Sequence, residues 1–149
     1  MTYSDQQVLD KVNIDTIIVL DFGSQYTQLI ARRVRELDVY SVILPWDIPK
    51  ERIVDLNPAG IILSGGPESV TNNNTPRIPE IIFDLEIPIL GICYGMQTLA
   101  EQFGGQVTPS KTKEFGHASI TIETDCILFD GFDVGSSIDV WMSHGDHVS

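Results

Sequence analysis

Pro88-Ile89-Leu90-Gly91-Ile92-Cys93-Tyr94-Gly95-Met96-Gln97 is the stretch from which the fold can be read. Its first half, Pro88 to Ile92, is an apolar run with the character of a buried strand. Behind it Met96, Leu99, Ala100 and Phe103 recur at helical spacing, and Gly104-Gly105 supply a stop. Between strand and helix, Gly91-Ile92-Cys93-Tyr94-Gly95 has the form Gly-x-nucleophile-x-Gly. Such an elbow is a sharp turn that pushes its central side chain out at the sheet edge. The two glycines remove Cβ atoms that would clash there. A helix beginning at Tyr94 turns free N–H groups and a partial positive charge toward the sulfur, which favours the thiolate. The competing reading is a structural cysteine at the end of a buried strand. The paired glycines and the strand-to-helix position favour catalysis.

Working upstream, the same alternation repeats. Thr16 to Leu20 is a β-branched apolar run ending at Asp21, and Ser24 can cap the helix whose Tyr26, Leu29, Ile30, Val34 and Leu37 follow. Val39 to Leu44 and Ala59 to Leu63 read as the next strands, the latter closed by Ser64-Gly65-Gly66-Pro67. After a polar loop at Asn72 to Thr75, Ile78, Ile81, Ile82 and Leu85 form an apolar stripe, with Pro79 in its first turn. The pattern predicts an α/β fold: a parallel sheet in three layers, with helices on both faces. Downstream, Ala118 to Ile122 and Ile138 to Met142 read as added strands without a helix between them. Residues 1–15 read as a loose polar tail before one domain spanning 16–149.

The chain has 149 residues and a net charge of −12, with a pI of about 4.3. That charge disfavours nucleic acid and anionic lipid as partners, because both need cationic surface. The polar, acidic start lacks the basic and apolar regions of a signal peptide, so a cytoplasmic location is expected. Two cysteines, Cys93 and Cys126, do not make a disulfide framework, and no spacing suggests a metal site. Cys126 reads as core or neutral.

Carboxyl ends of parallel strands carry the ligand crevice. An oxyanion formed by attack of Cys93 on a carbonyl would take one N–H from Tyr94 and another from Gly65-Gly66, where glycine lets the backbone approach. An ordinary tight turn is the bland alternative for Gly65-Gly66. Asp21 borders the crevice in a structural role; Asp21-Phe22-Gly23 lacks the companion motifs of a kinase. Arg32, Arg33 and Arg35 suit the negative end of their helix, and Trp46 reads as packing.

These motifs in this order resemble the class I (triad) glutamine amidotransferases. The stretch Leu20-Asp21-Phe22-Gly23-Ser24-Gln25-Tyr26-Thr27-Gln28, with Glu114-Phe115-Gly116-His117 and Trp141-Met142-Ser143-His144-Gly145-Asp146, is similar to the amidotransferase domains of the GMP synthase branch. The resemblance implies a flavodoxin-like fold and a Cys93 glutamyl thioester. It implies oxyanion N–H groups from Gly66 and Tyr94, and glutamine contacts from Gly65, Gln97, Ser143 and His144. It further implies ammonia transfer to a separate ATP-pyrophosphatase domain that uses ATP and Mg2+ to convert xanthosine monophosphate to GMP. No cofactor or metal is implied for this domain itself, and a homodimer is implied for the longer protein.

Two departures stand out. Asp38 occupies a helix end where the family usually has glycine, so a left-handed backbone is expected there. The family's catalytic His and Glu lie in a His-Pro-Glu segment, and none occurs in these residues. The domain is thus expected to be incomplete at its C-terminal end, and weak or inactive by itself. His144 and His147 are possible substitutes for the base, but they read as solvated loop; His117 reads as a loop or domain-contact residue. A non-catalytic binding or redox module remains the alternative from another class, as does another amidotransferase of class I.

Overall fold

Residues 15–148 are described in a computed structural model of the chain, without the side chains of 110–114 and 143–147. Four strands, β1 (Thr16–Asp21), β2 (Tyr40–Pro45), β3 (Gly60–Leu63) and β4 (Ile89–Gly91), form a parallel sheet in the order β2-β1-β3-β4. Helices α1 (Thr27–Arg35), α2 (Lys50–Asp55), α3 (Ile81–Asp84) and α4 (Tyr94–Gln102) connect or follow them. The chain moves one way from β1 to β2 and then back across β1 to β3. Right-handed crossovers therefore put α1 on one face of the sheet, and α2 and α3 on the other. The predicted α/β architecture is the one observed.

The core forms because these strands are apolar on both faces. Ile18, Leu20, Ile61 and Leu63 are buried, and Ile53, Val70, Ile78, Ile82 and Tyr94 pack into the same cluster. Each buried Ile or Leu contributes about 2 kcal/mol relative to exposure. Leu20 stands opposite both Leu44 and Leu63, and Leu63 opposite Gly91. That register brings Phe22, Ser64 and Ile92 to a common edge. The reversal of strand order between β1 and β3 marks the place where a crevice opens in such sheets.

Sequence periodicity misphased two helices. In α1 the buried residues are Thr27 and Ala31, while Tyr26, Leu29 and Leu37 are exposed. In α4 the buried residues are Tyr94, Gly95, Gln97 and Thr98, and Met96 and Phe103 are exposed. Both helices are short, and small residues on their inner faces let them sit close to the sheet. Phe103 instead meets Phe83 edge to face, with ring centroids 5.0 Å apart. Ser24 does not cap α1 at its first turn. Its hydroxyl accepts the Tyr26 N–H at 3.0 Å, and the helix starts at Thr27. Helix α2 has no counterpart in the apolar periodicity; it follows Pro49 and buries Ile53. Asp38 takes φ +59°, the left-handed conformation expected of it.

At the end of α4, Gly104 N–H donates to Glu101 O and Gly105 N–H to Ala100 O, with Gly104 at φ +83°. This is a Schellman stop. The chain divides into two compact units, the first ending at Val107 and the second spanning Thr108–His147. In the second, β5 (Val107–Thr121) and β6 (Ser137–Val148) pair as a two-stranded sheet, with a 3-10 turn at Ile127–Phe129 between them. Both strands are longer than predicted. His117 lies within β5 rather than a loop, 3.4 Å from Asp139. Cys126 is exposed, so it is not a core residue, and both cysteines are free thiols.

Candidate active site

Cys93 sits between β4 and α4 with φ +49° and ψ −114°. Side-chain-bearing residues rarely adopt that conformation, which costs about 1–3 kcal/mol. The surroundings enforce it. A Cβ on Gly91 would lie 2.6 Å from Met96 Cα, and one on Gly95 would lie 2.5 Å from the Leu63 carbonyl oxygen. The elbow thus packs directly on β3 and on its own helix. Gly95 N–H donates to Ser64 O and Gln97 N–H to Cys93 O, both at 3.0 Å.

Tyr94 contributes more than the backbone N–H foreseen for it. Its buried ring meets Phe22 with centroids 5.4 Å apart, and its hydroxyl donates to the Pro76 carbonyl. These contacts clamp the start of α4. Asp21 borders the edge structurally, as expected, accepting the Gly23 N–H at 2.9 Å and the Thr27 hydroxyl at 2.8 Å. Gly65 lies against Cys93: a Cβ there would be 3.4 Å from Cys93 Cβ. Among the described residues nothing accepts the Tyr94 or Gly66 N–H.

Gln97 lies one helical turn beyond Cys93 and is 4% exposed. Ser143 and His144 fall within β6, and their side chains lie outside the described residues, as does that of His147. The three histidines are 117, 144 and 147, so the unit carrying the elbow holds no histidine up to Val107. Arg32 and Arg33 pair with Glu36 on the exposed end of α1, and Arg35 donates to Ser41. Trp46 is 37% exposed and lines a cleft of about 650 Å³ with Arg77 and Glu101, so it is not a core residue. Among the described residues, no group of three or more His, Cys, Asp or Glu could hold a metal ion. Among the same residues, no helix is long and apolar enough to cross a membrane.

Burial pushes the Cys93 thiol above its ordinary value. Burial thus works against the charged form that the helix terminus is expected to favour. Alkylation of Cys93 by iodoacetamide, followed by the mass of its peptide, should climb about tenfold per pH unit from about pH 6 to 9. A rate already level at neutral pH would mean that the helix outweighs burial.

The elbow, the glycine pair beside it and the switch-point sheet define a class, and comparison with known proteins agrees. The model of the glutamine amidotransferase class-I family matches residues 18–149. The chain belongs to that family.

Among curated relatives it is 53% identical over 146 residues to the glutamine-hydrolysing GMP synthase of Mannheimia succiniciproducens, covering 95% of this chain and 28% of that protein. It is 55% identical over 132 residues to the same enzyme of Vibrio vulnificus, covering 89% of this chain and 25% of that protein. The chain thus spans about a quarter of the length of these relatives. A solved structure from Thermoplasma acidophilum, described as a subunit of GMP synthase, matches with a TM-score of 0.72 and 32% identity, over 91% of this chain and 67% of that one. A glutamine amidotransferase from Methylobacillus flagellatus shares the fold, with a TM-score of 0.66, 22% identity, and coverage of 93% and 57%.

Proposed function

We propose that this chain carries the glutamine-hydrolysing chemistry of a GMP synthase. Cys93 sulfur attacks the γ-carbonyl carbon of glutamine, and a C–S bond forms as negative charge develops on the carbonyl oxygen. The Gly66 and Tyr94 N–H groups receive that charge. As the intermediate collapses the C–N bond breaks, the amide nitrogen takes the proton given up by the thiol and leaves as ammonia, and water then cleaves the thioester to glutamate and restores the thiol. Gly65 and Gln97 contact the substrate, with Ser143 and His144 at its amino-acid end. The ammonia passes to a synthetase domain that uses ATP and Mg2+ to convert xanthosine monophosphate to GMP, within a homodimeric cytoplasmic protein. ATP and Mg2+ are assigned to that other domain on the family resemblance.

The observation that carries this reading is the strained backbone of Cys93 held against Gly65. Strain of this kind persists where the surrounding structure over-determines it, and it clusters at active sites. The general base is assigned to a His-Pro-Glu segment that these 149 residues do not contain. The chain alone is therefore a poor glutaminase, since loss of a triad member leaves only residual catalysis.

A chloroketone analogue of glutamine should label Cys93, and glutamine should protect it. Labelling indifferent to glutamine would sink the substrate assignment. Steady ammonia release by the 149 residues at about 10 per second, an ordinary enzymatic rate, would sink the assignment of the base. The redox-module alternative predicts ready oxidation of Cys93 by peroxide and labelling indifferent to glutamine.

A further inference from the structure

Ser64 is fully buried, and each of its polar groups is engaged. Its N–H donates to Leu20 O at 3.0 Å, and its carbonyl accepts the Gly95 N–H at 3.0 Å. Its hydroxyl accepts the Phe22 N–H at 3.0 Å and donates to the carbonyl of the next residue, Gly65, at 2.9 Å. One side chain thus joins the end of β1 to the glycine pair, while its backbone holds the first turn of the nucleophile's helix.

The bond to the Gly65 carbonyl has a stereochemical consequence. The Gly65–Gly66 peptide is trans, so its C=O and N–H point in opposite directions. With the carbonyl drawn inward to Ser64 Oγ, the Gly66 N–H is turned away from the core. Without that bond the carbonyl loses its partner, and glycine on both sides permits backbone conformations in which the peptide is turned over, exchanging a donor for a carbonyl oxygen at the site. A carbonyl there would repel an oxyanion.

We infer that Ser64 is a positioning residue that sets the orientation of the Gly65–Gly66 peptide and so presents the Gly66 N–H to the charge developing during acylation of Cys93. This rests on the amidotransferase reading for the role of Cys93, but not on which acyl group is transferred.

The test compares two reactions of Cys93, in proteins where the exposed Cys126 is replaced by serine. With 4-nitrophenyl acetate, the sulfur forms a bond to the acetyl carbon, and 4-nitrophenolate leaves with the C–O electron pair, needing no proton. That reaction passes through an oxyanion. With iodoacetamide, the sulfur displaces iodide and no oxyanion forms. Ser64→Ala should slow acylation about 100-fold, the usual loss for one oxyanion donor, while alkylation stays within about twofold.

If Ser64→Ala does not fold, Ser64→Thr and Ser64→Val decide, because they share a shape and differ in the hydroxyl. Thr should acylate about 100-fold faster than Val at equal alkylation. Equal slowing of both reactions, or of neither, overturns the inference. Glutamine protection fails separately: its loss with the Ser64 effect intact removes glutamine as substrate and leaves the peptide assignment standing.

Discussion

Cys93→Gly should abolish covalent labelling by a glutamine analogue and, in the same protein, raise the thermal midpoint. The first effect follows because no other group supplies the sulfur; the remaining cysteine, Cys126, is exposed in the second unit. The second follows from φ +49° and ψ −114° at position 93. Glycine occupies positive φ freely, so the substitution releases about 1–3 kcal/mol of strain. Some of that gain is offset by lost contacts of a half-buried thiol, leaving a net gain of about 1 kcal/mol. Activity held at the expense of stability is a common feature of active sites. Mass spectrometry of the labelled peptide and a thermal melt read the two effects side by side. An unchanged or lower midpoint would mean that the elbow is not strained by its side chain.

Gly95→Ala should be among the most damaging single methyl additions in the first unit. Alanine in place of glycine in a helix ordinarily stabilises by about 1 kcal/mol. Here the added Cβ would sit 2.5 Å from Leu63 O, 2.6 Å from Leu63 Cβ and 2.7 Å from Leu63 C. Leu63 is fully buried in β3, so neither partner can yield without shifting the sheet or the helix. The Gly95 N–H bond to Ser64 O would break with that shift. The expected cost is about 3 kcal/mol, or about 10 °C in thermal midpoint. Gly104→Ala, where nothing lies within 4 Å, should cost only the left-handed conformation, about 1 kcal/mol. Equal effects at the two positions would show that helix α4 does not press on β3 as closely as described.

The elbow itself was legible in the order of residues. Gly91 and Gly95 stand two residues either side of Cys93, and the apolar run before them has strand character. Both signals are local in the chain, so spacing alone exposes them. The Gly65-Gly66 pair was legible for the same reason, whereas the left-handed turn at Asp38 was legible only through the family resemblance. Ser64 was visible as part of a motif, but nothing in its own vicinity says that its hydroxyl meets the Phe22 N–H. Those residues are 42 apart in sequence. Likewise, the Tyr94 ring reaches Phe22 and its hydroxyl reaches Pro76 only once the sheet has assembled.

By itself, then, the chain's order of residues determined the alternation of strand and helix, the Gly-x-Cys-x-Gly elbow and the family to which it belongs. Those properties depend on neighbours within a turn or two. Tertiary structure alone decided which faces of α1 and α4 are buried, how Ser64 ties three segments together, and the upward displacement of the Cys93 thiol. Each of these depends on the distance and polarity of atoms remote in sequence, because close packing and desolvation act through space rather than along the backbone.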